Sequence, residues 1–294
     1  MINPENPPLG KYLIGFSIKY LNTEKLPTLI FEFLALVSLF LLARVFLRSI
    51  FLSLLPVVFL ARERVFYEQV QFMPLLDVFA LVFLFWAIIF FVKAQDKRCF
   101  FLLSSVCLGL LWSTRPWMAT VPLVISWAVY LWWQNKKSFV FWLASLPVAL
   151  IPLVFSYANL LFSGESLYRI LSVQKWILWY HQSRLINLGT VWPLIYGNRW
   201  YVWWGDQPYL QMVQWTVLWL IFVTLTLIFG TLTLLNRIKF KYNRRVLILI
   251  LWVVFYLLFL SMGNVSSRYL LYLMPFCYII GTYFLVKWLK LRYE

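Results

Sequence analysis

Long apolar runs alternate with short polar ones along this 294-residue chain. Nine apolar segments stand out, at about 27–47, 49–61, 75–93, 99–113, 117–133, 139–161, 211–235, 246–262 and 269–289. A membrane span takes about 20 apolar residues at helical rise. The runs at 49–61, 99–113 and 117–133 are short, so they are expected to tilt less or to sit partly among other helices. The pattern predicts an all-α polytopic membrane protein, a single membrane domain (residues 1–294) of about nine transmembrane helices. Two further stretches have helical spacing without the length of a span. Residues 9–21 read as an amphipathic helix. "SVQKWILWYHQSRL" (Ser172–Leu185) puts Trp176, Trp179 and Tyr180 on one face. It lies in the only long polar stretch, 163–210, and is expected to rest on the bilayer surface. No internal repeat or low-complexity segment appears.

Composition supports the same class. Hydrophobic residues make up 63% of the chain and charged ones 12%, with a mean hydropathy of +0.81. A soluble core cannot hide that much apolar surface, so the solvent has to be lipid. Seventeen tryptophans and seventeen tyrosines suit the membrane–water interface. The net charge of +16 would suggest nucleic acid in a soluble protein. Here no nucleic-acid partner is expected, because the basic residues cluster between the apolar segments as positive-inside loops do. With the N-terminus outside, the cytoplasmic side receives Arg44 and Arg48, Lys93–Arg98, Lys136 and Lys137, Arg237–Arg245 and Lys287–Arg292, against only Asp96 and Glu294. The chain is therefore expected in the cell membrane, multi-pass, with its C-terminus cytoplasmic. Met1 to Pro8 has neither the basic nor the apolar region of a signal peptide. An outside N-terminus without a signal is expected to need something to carry it across, and a preceding helix would do so. Cys99, Cys107 and Cys277 have no metal-ligand or disulfide spacing.

Charge at membrane depth is costly and so draws attention. Asp77, in "FMPLLDVFALVF", heads its helix, either as an acid facing the positive end of the helix dipole or as the lining of an outward cavity. Arg115, in "LLWSTRPWMATV", is either a snorkelling arginine or an anion ligand. Arg268, in "GNVSSRYLLYLMP", is either an anchor or a phosphate ligand. Glu32, in "TLIFEFLAL", reads as an interfacial acid near the outer end of its span. His181 is the only histidine. No carboxylate cluster calls for a divalent metal.

Four stretches, in order, resemble the dolichyl-phosphate-mannose protein O-mannosyltransferases and their prokaryotic and archaeal relatives, which are GT-C glycosyltransferases. "ENPPLGKYLIGFSIKYL" is similar to their "HPPLGK" segment, and "ARERVFYEQVQFMPLLDVFALVFLF" to an outer loop ending in "LLD". "QKWILWYHQSRLINLGTVWPLIYGNRWYVWW" looks like their "YH … WPL" loop, and "SRYLLYLMPFCYIIGTYFLV" like their closing "RYLL..LPF" helix. The resemblance covers nearly the whole chain. It implies a GT-C-like bundle with interfacial amphipathic helices on the outer face. The implied reaction moves a sugar, with mannose expected, from a polyprenyl phosphate to a protein or lipid hydroxyl. No cofactor beyond the lipid-linked donor is implied.

Site residues follow from the same resemblance. Lys11 of "PPLGK" would bind the donor phosphate, with Arg268 and Arg115 as secondary candidates. Asp77 matches the family's second acidic position. His181, Tyr180 and Trp192 fall in the acceptor-side loop. The family's catalytic acid belongs to a first outer loop after a first transmembrane helix, and both would precede residue 1. Glu5 lies nearest that point but matches the residue before "HPPL". The expectation is a chain inactive alone, or the C-terminal portion of a longer or split enzyme, with a second chain as one source of the helix and acidic loop. The histidine of "HPPL" is Asn6, and the arginine five residues before the aspartate is Phe72. A non-catalytic membrane subunit and a lipid or solute transporter are the competing expectations.

Overall fold

A computed structural model describes residues 7–71, 75–115, 119–182, 187–202, 209–235 and 245–293. In chain order its helices are α1 (Leu9–Leu21), α2 (Lys25–Leu47), α3 (Ile50–Arg62), α4 (Arg64–Gln71), α5 (Asp77–Ala94), α6 (Phe100–Thr114), α7 (Thr120–Gln134), α8 (Lys136–Ser145), α9 (Leu150–Phe162), α10 (Leu167–Gln182), α11 (Val191–Gly197), α12 (Val217–Leu234), α13 (Val246–Leu260) and α14 (Met274–Tyr293). Single 3₁₀ turns at Leu146–Ala149 and Ser267–Tyr272 precede α9 and α14. Two-residue strands, Trp200–Tyr201 and Tyr209–Leu210, pair antiparallel.

Each of the nine apolar segments carries a helix. Among the described residues, α2, α5, the continuous Lys136–Phe162 stretch of α8 and α9, and α12 are long and apolar enough to cross a membrane. Burial separates their roles. The most apolar window of α5 is 78% buried, whereas that of Lys136–Phe162 is 22% buried. Val154, Phe155 and Phe162 stand exposed on α9, as do Phe33 and Leu34 on α2. Such apolar faces need a lipid solvent. The protein is an all-α membrane protein by these features. Hydroxyls inside the helices turn back onto their own backbone, as Ser53 does to the Ser49 carbonyl (2.7 Å) and Thr233 to that of Phe229 (2.7 Å). That satisfies a polar group where water is absent.

The chain forms two compact units. The first comprises residues 1–35, 68–121 and 135–187. Its centre is the α5–α6 hairpin, closed by a tight turn at Gln95–Lys97. Ser104 donates to the Ala87 carbonyl across the hairpin (3.0 Å), and Phe91 meets Phe101 edge-on (centroids 5.7 Å). The start of α2 lays Phe31 on Phe79 of α5 (4.4 Å). On its other side α6 meets the 3₁₀ turn so closely that a Cβ on Gly109 would lie 2.2 Å from the Ala149 carbonyl oxygen. Ser105 and Ser145 share a hydrogen bond alongside (3.1 Å).

The second unit comprises residues 36–67, 122–134 and 188–294. Here α14 is the hub, packed by α3, α12 and α13. Gly281 lets α14 come up against the Phe222 ring of α12, where a Cβ would sit 2.6 Å from Cδ1. Phe59, Phe222 and Tyr278 form an aromatic triplet with centroids 4.9–5.3 Å apart. Trp252 and Tyr256, stacked on α13, donate to the Tyr272 and Tyr269 carbonyls (3.2 and 3.1 Å) and so fix the second 3₁₀ turn.

The closing segment read as one run from residue 269 starts its α-helix only at Met274, because the turn before it is 3₁₀. The segment at 139–161 likewise contains a 3₁₀ turn, where Pro147 removes an amide donor. The aromatic helix expected at 172–185 begins earlier, at Leu167, and exposes Trp176 and Trp179.

Gly109→Ala is expected to destabilise the protein by about 1–3 kcal/mol, since a backbone carbonyl has to move to make room. Gly15→Ala, which meets nothing within 4 Å, is expected to be neutral or slightly stabilising. Thermal unfolding of both variants in detergent checks the contrast.

Candidate functional site

The first unit brings two of the residues singled out by sequence into contact. Asp77 is the first residue of α5 and Arg115 caps the end of α6. Antiparallel packing of the hairpin brings these two ends together, 38 residues apart in sequence. Arg115 turns extended (φ −129°, ψ 130°) and grips the carboxylate with both arms of its fork. Nε donates to Oδ1 (2.9 Å) and Nη2 to Oδ2 (2.6 Å). The Asp77 side chain is 0% exposed and that of Arg115 is 11% exposed. On sequence Arg115 is either a snorkelling arginine or an anion ligand; its guanidinium is instead engaged by the Asp77 carboxylate, a pairing that the sequence did not foretell. The α5 N-terminus adds favourable potential for the carboxylate.

Helix α1 seats on this pair's flanks. Gly10 is buried, and a Cβ there would lie 2.6 Å from Leu76 Cδ2 and 3.5 Å from Thr114 Cγ2. Leu76 and Thr114 immediately precede Asp77 and Arg115. Lys11, half-buried, is the next residue of α1 after Gly10. His181 and Tyr180 belong to the last turn of α10 in this unit, and their side chains lie outside the described set. Glu5 also lies outside the described residues.

Trp192 and Arg268 belong to the second unit. Trp192 sits on α11, tilted against Tyr196 (6.3 Å). The start of α11 is tied down by Thr190, which donates to the Gly263 carbonyl (2.7 Å) and accepts from the Val265 amide (3.2 Å). Arg268, on the 3₁₀ turn, holds its guanidinium over the Tyr269 ring (5.3 Å). Its Nε is buried with no hydrogen-bond partner among the described residues.

The second unit also holds an acid that the sequence did not reveal. Glu63 caps α3 with its amide on the Leu60 carbonyl (3.0 Å), and its own carbonyl accepts from Phe66 (2.9 Å) to start α4. Its side chain is buried, at 3% exposed. Trp219 Nε1 donates to Oε2 (2.9 Å) and the Tyr278 hydroxyl donates to Oε1. Leu60, Val65, Leu270, Leu271 and Met274 wall it in, with no space for a water molecule. In "ARERVF" this residue reads as one surface charge among arginines. Its two donors lie 156 and 215 residues away, so no local pattern announces it. Burial pushes its carboxyl up to about 7 from an ordinary 4.5, against the pull of the Tyr278 and Trp219 hydrogen bonds.

Among the described residues, no group of three His, Cys, Asp or Glu side chains could hold a metal ion. No protein family, no curated protein and no solved structure matches this chain.

Two measurements follow. Arg115→Met strands a buried carboxylate and should cost about 3–5 kcal/mol, while the double variant Asp77→Asn with Arg115→Met should recover much of that loss. Unfolding of the four-member cycle in detergent reads the coupling. Glu63, with its raised carboxyl, keeps a proton that the unfolded chain has already released. Its contribution to stability is full below about pH 4.5 and is lost as pH rises through about 7. The melting temperature should therefore fall between about pH 5 and about pH 8, and Glu63→Gln should remove that share of the fall.

Proposed function

We propose that the protein is a membrane glycosyltransferase of the GT-C type. In this reading it moves a sugar, mannose in the first instance, from a polyprenyl phosphate to an acceptor hydroxyl on the outer face of the cell membrane. The supporting observation is the seating of Gly10 on Leu76. The "PPLGK" and "LLD" stretches, 66 residues apart between those two positions, pack directly together beside the Asp77–Arg115 pair. Two of the four stretches that carry the resemblance thus share one place, and that place holds charged groups in a protein surrounded by apolar surface.

The reaction needs cations for the leaving lipid phosphate, because negative charge collects there as the sugar departs. Lys11 is assigned that role. It stands on an amphipathic helix, the kind of element that lies at headgroup depth. Both Asp77 oxygens are engaged by Arg115, so Asp77 is read as the group that orients the guanidinium rather than as a base. Arg115 would then complement Lys11 at the phosphate. Separately, in the second unit, the resemblance keeps Arg268, whose buried Nε has no hydrogen-bond partner among the described residues, as a phosphate-binding candidate and Trp192 as part of the acceptor-side loop. The donor is a lipid, and the exposed apolar flank of α2 offers it an approach from the bilayer.

The test is transfer of label from polyprenyl-phosphate [3H]mannose to a threonine-rich peptide by the protein in proteoliposomes. Transfer by wild type alone supports the reading and overturns the expectation of a chain inactive by itself. Lys11→Ala is expected to lower the rate by about 100- to 1,000-fold, the usual cost of removing one donor to a developing anion. Absence of transfer together with passage of a solute or lipid across the vesicle would replace this reading with a transporter. Absence of both would leave a non-catalytic membrane subunit.

A further inference from the structure

A glycosyl transfer to a hydroxyl needs a base for the proton, and the acids among the described residues differ sharply in what they have free. Asp77 is held by Arg115 through both oxygens, and Glu63 by Trp219 and Tyr278. Glu165 pairs with Arg169 at the surface (3.0 Å), and Glu24 and Asp96 are exposed. Glu32 is different. Its Oε1 is buried, and no donor among the described residues reaches it. One helical turn earlier on the same face of α2 lies Thr28, 0% exposed, whose hydroxyl is also buried without a partner. Two orphaned polar groups, side by side within an apolar helix, are expensive unless something binds them.

Their position in the first unit fits an acceptor. Phe31 lies between Thr28 and Glu32 in sequence, and its ring meets Phe79 and Phe83 (4.4 and 6.1 Å). Phe79 is two residues beyond Asp77. The Thr28–Glu32 turn therefore runs beside the first turns of α5, the helix that Asp77 starts. Both orphans could accept hydrogen bonds, and Thr28 could also donate one. A neutral ligand that carries hydroxyls satisfies both.

We propose that Glu32 is the general base of the transfer and that Thr28 helps hold the acceptor hydroxyl beside it. This rests on the glycosyltransferase reading above. In the step, the acceptor oxygen bonds to the anomeric carbon of the sugar. The bond from that carbon to the phosphate oxygen breaks, and the polyprenyl phosphate leaves with the bonding pair. The hydroxyl proton passes to the Glu32 carboxylate. A phosphate leaving group departs as an anion, so no general acid is required.

The experiment is single-turnover transfer from polyprenyl-phosphate [3H]mannose to the threonine-rich peptide, with the full chain in proteoliposomes. Glu32→Gln is expected to slow transfer by about 100- to 10,000-fold, the range for losing a general base. Binding of the labelled donor should stay at the wild-type level, and the acidic limb of the pH–rate profile should disappear. Glu32→Ala should regain part of its rate with added formate. Thr28→Val is expected to raise the KM for the peptide more than it lowers kcat. A Glu32→Gln rate within about threefold of wild type overturns the proposal and leaves the glycosyltransferase reading standing. A wild-type protein that transfers nothing overturns both. Should Glu32→Gln melt at a lower temperature than wild type, Glu32→Ala decides: rescue by formate supports the base, and absence of rescue overturns it.

Discussion

A carboxylate buried at the start of an apolar helix has to be answered by a cation, and here the answer comes from the far end of the next helix. The Asp77–Arg115 pair closes the open end of the α5–α6 hairpin with two parallel hydrogen bonds. The consequences spread through the first unit. The fork fixes where α6 stops, because Arg115 must leave the helix in an extended conformation to reach back. It also fixes the surface on which α1 sits, since Gly10 rests on the residues immediately before each partner. A salt bridge so placed adds little net stability over an apolar pair of the same shape. What it supplies is a defined arrangement of charge in a medium that tolerates almost none.

The second unit meets a buried carboxylate by another route. Among the described residues Glu63 has donors but no cation: an indole nitrogen from α12 and a phenol from α14. Neutral donors offset less of the desolvation than a guanidinium does, which is why this carboxyl is pushed up to about 7. Its backbone ends α3 and begins α4, so a single residue joins a chain turn to two distant helices. Glu32 is a third case: its buried Oε1 meets neither cation nor donor among the described residues, which leaves it capacity for a ligand.

Hydropathy made the helices legible, because lipid-facing and buried sides are both apolar and the runs stand out whichever way they point. The same fact hid which side was which. Nothing in "DVFALVFLFWAIIFFVKA" distinguishes the mostly buried α5 from the mostly exposed Lys136–Phe162 stretch. Lys11 stood out only through the "PPLGK" resemblance, whereas Asp77 and Arg115 were visible as charges out of place. Their convergence was not, since it depends on a hairpin that spans 38 residues. Glu63 stayed hidden for the opposite reason: it sits between two arginines and looks like solvent-facing charge. Glu32 was seen, but as an ordinary interfacial acid. Only the absence of any donor near its buried oxygen marks it out, and absence of a partner has no sequence signature. The 3₁₀ turns at Pro147 and before Pro275 interrupt runs that hydropathy treats as continuous.

The unequal burial of the spans has a consequence for how such a chain drifts. Where a helix side touches only acyl chains, as on α9, one apolar residue serves about as well as another. Those positions conserve a property and not an identity. The close approach at Gly109, the seat of Gly10 and the contact of Gly281 with Phe222 admit far fewer substitutes. Over long divergence the outer helices lose their spelling first, while α1, α5, α6 and α14 keep theirs. Kinship is therefore best sought in short islands within those four helices, not in the length of the alignment.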